Sequence, residues 1–208
     1  MNLNLINKIK RNKMPVTHIN RSGDTYYLHE GKTKKGNPKY YLSKKKDGVI
    51  LNSIPEGYEI YENPNAQVFL RRIPPKIITD GEISIVEKGV KKYSVLKEFK
   101  IDVRKNSIVI FTPDQDPDDL KEILSDFAGY INPDTDSKLS QFLKRNQTYS
   151  PMMRFVLTDK KTREFNVERY CFLGSIDDWM VIDTSCDLAK LVKKYTLHLG
   201  KDSFFELF

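Results

Sequence analysis

Two cysteines, three histidines and one tryptophan are all that this 208-residue chain holds of three chemically distinctive residue types. Cys171 and Cys186 are too few for a disulfide scaffold. They also lack the Cys-x-x-Cys spacing of a zinc ribbon or a thioredoxin-type site, so both are expected as reduced core thiols among apolar neighbours. His18, His29 and His198 fall in no zinc-ligand spacing, and no Gly-x-Ser-x-Gly elbow occurs, so no metal, no cofactor and no catalytic residue is expected from motif. Long apolar runs are missing as well. Nothing approaches the ~20 residues that cross a bilayer, and the first residues lack the apolar stretch of a signal peptide. The expectation is a soluble, cytoplasmic chain with no membrane partner. Residues 2–13 are rich in Asn and Lys where a transit peptide would be rich in Arg and Ser, and residues 1–20 are read as a basic tail.

What is present is an ordinary globular mixture, 39% apolar, 30% charged and 11% aromatic, too apolar and aromatic for a disordered chain. The net charge of +7 is unevenly spread. Residues 1–46 set twelve Lys and Arg against only Asp24 and Glu30, whereas residues 106–208 carry a net −4. Basic character therefore belongs to the N-terminal part. Ile73-Pro74-Pro75-Lys76 marks a break, since consecutive prolines neither continue a helix nor donate to a sheet. The fold class expected is α+β, with a small basic β-hairpin module over 21–75 and a mixed α+β domain with about three helices over 76–208.

Within the module, Thr25-Tyr26-Tyr27-Leu28 and Lys39-Tyr40-Tyr41-Leu42 are β-prone and flank Gly31 to Pro38, a run dense in turn formers and lysine. Tyr58 to Glu62 and Gln67 to Arg71 flank Asn63-Pro64-Asn65-Ala66 as a second hairpin. The stretch from Thr25 to Arg72, with Tyr26-Tyr27-Leu28-His29-Glu30-Gly31-Lys32 and Ile54-Pro55-Glu56-Gly57-Tyr58, resembles a recurring segment of prokaryotic proteins described only as uncharacterised. The resemblance implies a structural unit and carries no activity.

In the larger domain, Tyr93, Val95, Phe99, Ile101 and Val103 share one parity, which predicts a half-buried strand over 93–103. A turn at 104–107 leads into Ile108 to Phe111. Leu120, Ile123, Leu124, Phe127 and Ala128 predict a helix opened by Asp116-Pro117 and closed by Gly129. A weaker helix is expected over 136–146. Met153 to Thr158 and Arg163 to Phe172 read as a hairpin, Trp179 to Ile182 as a buried strand, and Asp187 to Tyr195 as a helix with Leu188, Leu191, Val192 and Tyr195 inward. The end, Phe204-Phe205-Glu206-Leu207-Phe208, is expected to dock into the core or onto a partner.

Motif by motif, bland readings account for most of the chemistry. Gly31-Lys32-Thr33 is no phosphate-binding loop, because Tyr26 stands where its first glycine belongs and Gly36-Asn37-Pro38 follows where a helix must begin. Asp114, Asp116, Asp118 and Asp119 fail the calcium-loop pattern at its glycine and its glutamate, and are read as a helix start whose carboxylates meet the helix dipole. Thr184 and Asp187 resemble a capping box. His29-Glu30 is read as a strand end.

The basic module carries the leading functional expectation. Its candidate nucleic-acid-binding residues are Tyr26, Tyr27, Lys32, Lys34, Lys35, Lys39, Tyr40, Tyr41, Lys44, Lys45 and Lys46. Lysines neutralise phosphates and aromatic faces stack on unpaired bases, the pairing that a single-strand binder needs. In the plainer version, one tyrosine of each pair sits in the core and the lysines form a solvated loop. A nucleic-acid-binding accessory protein is thus the first reading. A protein partner held by the acidic C-terminal domain and the apolar end is the second, and an enzyme without a recognisable motif the third. Both thiols are expected free, so an intact mass of fresh, unoxidised protein alkylated under denaturing, non-reducing conditions should show two modified cysteines, and a Cys171–Cys186 bridge would contradict this.

Overall fold

The structure, a computed structural model, describes residues 14–115, 133–173 and 176–207. The Asp116-to-Asp119 carboxylates and the helix expected over 116–129 lie outside the described residues. The chain divides into two units, Met1–Glu62 with Val68–Ile73, and Asn63–Gln67 with Pro74–Phe208. The described elements make a mixed α+β protein with three sheets.

The smaller unit is all β. Strand β2 (Thr25–Lys32) is central, pairing antiparallel with β3 (Pro38–Ser43) along one edge. The short strands β1 (Thr17–Ile19) and β4 (Val49–Ile50) share its other edge. Strands β5 (Tyr58–Glu62) and β6 (Val68–Arg72) form a separate antiparallel ribbon. Glu62, at the end of β5, accepts hydrogen bonds from His18 Nε2 at 3.0 Å and from Arg21 Nε at 2.7 Å, which ties β5 to the β1–β2 turn. So few aliphatics leave this unit a slim core, with Leu28 and Val68 its buried aliphatic side chains.

The larger unit is a five-stranded antiparallel meander. Strands β7 (Lys100–Arg104), β8 (Ser107–Pro113), β9 (Tyr149–Asp159), β10 (Glu164–Leu173) and β11 (Ile176–Ser185) lie side by side in chain order. Helix α1 (Asp80–Tyr93), helix α2 (Pro133–Asn146) and helix α3 (Leu188–Tyr195) accompany the sheet. On one face Ile108, Ile110, Phe155, Leu157, Phe165 and Val167 pack with residues of α1 and α3 into the main core. Strand β8 is buried on both faces, since Val109 and Phe111 join Tyr149 in a second cluster with half-buried Trp179 beside it.

Helix α1 was not expected, and its last residue, Tyr93, opens the stretch 93–103 whose parity predicts a strand. Thr79 and Glu82 form a capping box, the Thr79 side chain accepting from the Glu82 amide and the Glu82 carboxylate from the Thr79 amide. Val86, Gly89 and Val90 then fall at i, i+3 and i+4 on the buried face,. The period-2 pattern ran across the helix end and its connection, and only residues 100–104 are strand. Arg163, at a left-handed φ of 56°, forks onto Glu82 and anchors the β9–β10 turn at the start of α1. Burial works to raise the Glu82 pKa, but the Arg163 and Thr79 hydrogen bonds outweigh it and hold the carboxyl below its ordinary value.

Three further expectations are revised. Trp179 to Ile182 belongs to β11, an end strand of the meander, and is half-buried, with Val181 55% exposed. Cys171 is buried but Cys186, just past the end of β11, is exposed, although both thiols are free. Asp187 caps α3 with its own carboxylate, accepting from the Lys190 amide at 3.0 Å, while Thr184 stays in β11 and donates to Asn166. The inward set of α3 is as expected, with Leu188, Leu191, Val192 and Tyr195 all buried. Of the apolar end, Phe204 is 1% exposed in the main core and Phe205 is 53% exposed. The buried Arg169 of β10 fastens this end by donating from Nε to the Leu207 carbonyl.

Helices α1 and α3 touch at Gly89. A Cβ there would lie 2.0 Å from Val192 Cγ1, far inside any real contact. Gly89→Ala should therefore destabilise the protein by ~1–3 kcal/mol despite alanine's better helix propensity. Equilibrium urea unfolding checks this, and Val192→Ala in the same chain should recover part of the loss.

Candidate nucleic-acid interface

The β2–β3 pair presents most of the candidate residues, and its loop is tightly specified. Thr33 donates its amide to the Asn37 carbonyl at 2.8 Å, Gly36 donates to the Thr33 carbonyl at 2.9 Å, and the Thr33 hydroxyl accepts from the Asn37 amide. Lys34, Lys35 and Gly36 thus form a three-residue hairpin loop, with Gly36 supplying the left-handed φ of 84° at its last position,. Lys34 and Lys35 are held at the tip, exposed.

Strand register sorts the remaining side chains by face. His29 lies opposite Tyr41, Gly31 opposite Lys39 and Tyr27 opposite Ser43, so Tyr27, Tyr41 and Lys39 share one face,. Tyr26 and Tyr40 take the other face with the fully buried Leu28, and Tyr40 meets Tyr58 edge-on at 5.8 Å. The alternation is as the paired tyrosines suggest. None of the four is buried, however, because Leu28 and His29 fill the interior positions of β2.

Tyr41 is the most open of the four, 41% exposed. Its ring stacks on the buried His29 imidazole, with centroids 5.3 Å apart and an interplanar angle of 14°. Gly31 allows this, since a Cβ there would come within 3.2 Å of the Tyr41 ring. His29 in turn bonds through Nε2 to the Lys45 carbonyl at 3.0 Å, which requires Nε2 to carry the proton,. His29 is thus the rigid backing of an exposed aromatic ring rather than the strand end expected from sequence.

The lysines divide into two groups. Lys44 donates to Asp24 at 2.7 Å and lies 5.6 Å from the Tyr26 ring centroid, while Lys46 lies 5.2 Å from that of Tyr27. The hydrogen bond to Asp24 holds the Lys44 pKa above its ordinary value despite some desolvation. Lys32, Lys34, Lys35, Lys39 and Lys45 are exposed, and no hydrogen bond, ion pair or ring contact engages their ammonium groups among the described residues. Five cations therefore stand ready for an anion without breaking an internal contact.

Two features escaped the sequence reading. His29 looked like an ordinary polar strand residue, and the signal for its role was its place two residues before Gly31, where a cross-strand ring has room to lie down. On β10 and β11 of the larger unit, Tyr170 sits 4.7 Å from Phe172 and 5.0 Å from Trp179, with the Arg154 guanidinium 4.2 Å above Trp179. The i, i+2 spacing of Tyr170 and Phe172 was its trace in the chain. Arg154 is also paired with Glu168 at 2.6 Å, and Asp177 and Asp178 lie beside Tyr170, so this patch is rimmed by acid where the β2–β3 pair is rimmed by base. Among the described residues, no three His, Cys, Asp or Glu side chains gather as metal ligands would, and no helix is long and apolar enough to cross a membrane. Compared with protein-family models, curated proteins and solved structures, the chain matches none.

The Glu62 node provides a pH test of the smaller unit. Burial works to raise this carboxyl's pKa, but hydrogen bonds from Arg21 and His18 outweigh it and hold the group below its ordinary 4.5. A depressed carboxylate stabilises the fold above its unfolded pKa and loses that contribution as pH falls through the folded value. Glu62→Gln should accordingly lower the melting temperature by several degrees at pH 6, with the gap to wild type closing toward pH 3. Differential scanning calorimetry over that range reads the gap directly.

Proposed function

We propose that the smaller unit binds single-stranded nucleic acid, with lysines of the β2–β3 pair on the phosphates and Tyr41, backed by His29, stacked on an unpaired base. The observation that carries this reading is the exposed Tyr41 ring, held flat on a buried imidazole, with Lys39 on its face and Lys34 and Lys35 uncommitted at the hairpin tip. A ring already fixed in place loses little conformational freedom on stacking, and base–aromatic stacking is worth about 1–3 kcal/mol. Tyr27 shares the Tyr41 face but has Lys46 over its ring, which gives it the weaker claim. Tyr26 and Tyr40 act as supports, and Lys44 is committed to Asp24. The protein so read is a nucleic-acid-binding accessory protein of the cytoplasm, built around a basic hairpin.

Five phosphate contacts give a slope of log K against log salt of about −3.5 for single strands and −4.5 for duplex. Replacing Lys32, Lys34 and Lys35 with alanine should weaken all sequences alike and flatten the slope by about two to three units, because phosphate contacts position without specifying. Tyr41→Ala should weaken an oligothymidine by roughly tenfold and a duplex of the same length far less, while Tyr41→Phe stays close to wild type. Fluorescence anisotropy with labelled oligonucleotides over a salt series supplies all of these values. Absence of binding to either form at low salt, where attraction is strongest, would remove the proposal in favour of a protein partner.

A further inference from the structure

Strand β7 is an end strand of the meander, and among the described residues no strand pairs with its outer edge. Arg104 and Ser107 close a two-residue turn through Lys105, whose φ is 49°. Such a turn makes its flanking residues a hydrogen-bonded pair, and alternation along an antiparallel ladder then directs the Arg104, Asp102 and Lys100 backbone groups toward β8. The amides and carbonyls of Ile101 and Val103 point the other way, to the open edge, and Phe99, one step before the strand, continues their parity. The side chains divide by the same alternation. Phe99, Ile101 and Val103 pack against the main core and, with Ile83 of α1, line a groove of about 590 Å³ beside the edge. Glu98, Lys100, Asp102 and Arg104 take the opposite face. There Glu98 accepts from the Tyr149 hydroxyl, Lys100 lies 5.5 Å from the Tyr149 ring centroid, and Arg104 donates to Asp102 at 2.6 Å.

We infer that β7 is the edge of a homodimer, pairing antiparallel with β7 of a second copy of this chain about a two-fold axis at Ile101 and joining two five-stranded meanders into one continuous sheet. Backbone direction and charge together select this register. Outward groups must face outward groups, so the axis passes through a residue and not between two. An axis at Lys100 sets Lys100 against itself and Glu98 against Asp102. One at Asp102 sets Asp102 against itself and Lys100 against Arg104. Like charges directly opposite are destabilising, which disfavours both. An axis at Phe99 or at Val103 sets Ile101 against Lys97 or Lys105 and runs the ladder off β7. With the axis at Ile101, Lys100 faces Asp102 and Glu98 faces Arg104, each twice, so every charged residue from 98 to 104 meets its opposite. The Arg104–Asp102 pair is then extended and not broken, since Glu98 of the second copy adds to Arg104 and Lys100 of the second copy adds to Asp102. On the α1 face Ile101 meets Ile101 and Phe99 meets Val103, and each copy's apolar row closes the open side of the other's groove. The α1 wall sets no net charge against that row, because Glu87 and Lys91 are paired with each other at 2.6 Å. The same patch serves both copies, as a closed two-fold contact requires, and the outward amides and carbonyls of Phe99, Ile101 and Val103 all gain partners.

Sedimentation equilibrium of the full chain, freed of nucleic acid, tests the pairing and its register. A dimer mass is expected at about 100 μM, falling toward the monomer on dilution. Glu98→Arg sets arginine against Arg104 twice, and Arg104→Glu sets glutamate against Glu98 twice, so each variant alone should dimerise roughly tenfold more weakly. Mixed in equal amounts, the two variants restore opposite charges in both rows, and a heterodimer as strong as the wild-type dimer should form. Val103→Pro removes one outward donor per copy from an end strand that tolerates proline, and should weaken the dimer by a similar factor with no change of charge. It takes the place of either charged variant that loses its circular dichroism. The inference is overturned by a monomer mass at about 1 mM, by a dimer that survives all the folded variants, or by folded charge variants that weaken the dimer and do not recover on mixing.

Discussion

Helices α1 and α3 can cover the five-stranded meander only because Gly89 has no side chain where Val192 presses in. That close approach lets both helices lie on one sheet face and lets Val86, Val90, Leu191 and Val192 meet residues of β8, β9 and β10 in one core. A side chain at position 89 would hold the helices apart, and close-packed interiors do not absorb such a gap. The other anchors are local by comparison. Arg163 on Glu82 fixes where α1 begins, Asp187 fixes where α3 begins, and Arg169 on the Leu207 carbonyl seats the chain's last residues against the same core.

The smaller unit is organised differently, since it has few aliphatics to bury. Its order comes from polar nodes and from period-2 geometry. Glu62 gathers His18 and Arg21, Asp24 holds Lys44, and Thr33 closes the loop on Asn37. With Leu28 and His29 inside, Tyr26, Tyr27 and Tyr40 are left at intermediate exposure and Tyr41 is exposed. A thin core and an open aromatic face are two sides of one compositional fact. The same economy explains why lysines crowd the β2–β3 loop, as there is little apolar surface for that loop to cover and the tip stays in water.

Legibility followed the range of the interactions. Hairpins were readable because their determinants lie within a few residues: Asn63 to Ala66, Arg104 to Ser107 and Asp159 to Thr162 all turn the chain where expected. Helix α3 was readable from four apolar residues, Leu188, Leu191, Val192 and Tyr195, at helical spacing. Helix α1 was not, because Glu87, Lys88, Lys91 and Lys92 dilute its apolar face to a narrow stripe with a glycine in it, and a stripe that narrow works only against a partner helix as close as α3. Strand β11 looked buried for the complementary reason: Trp179-Met180-Val181-Ile182 is apolar throughout, but one of its faces and one of its edges have no neighbouring strand among the described residues.

The candidate interface divides along the same line. Composition and alternation by themselves marked residues 25–28 and 39–42 as β-prone and set the members of each tyrosine pair on opposite faces, since side-chain parity is a property of any extended chain. Only the tertiary structure decided which face stays open, which lysines are spent on Asp24 or on tyrosine rings, and that His29 is the buried support of Tyr41. Cross-strand register and face coverage bring together residues a dozen or more positions apart. The free energies that select them depend on distance and burial in space, which no local spacing along the chain encodes.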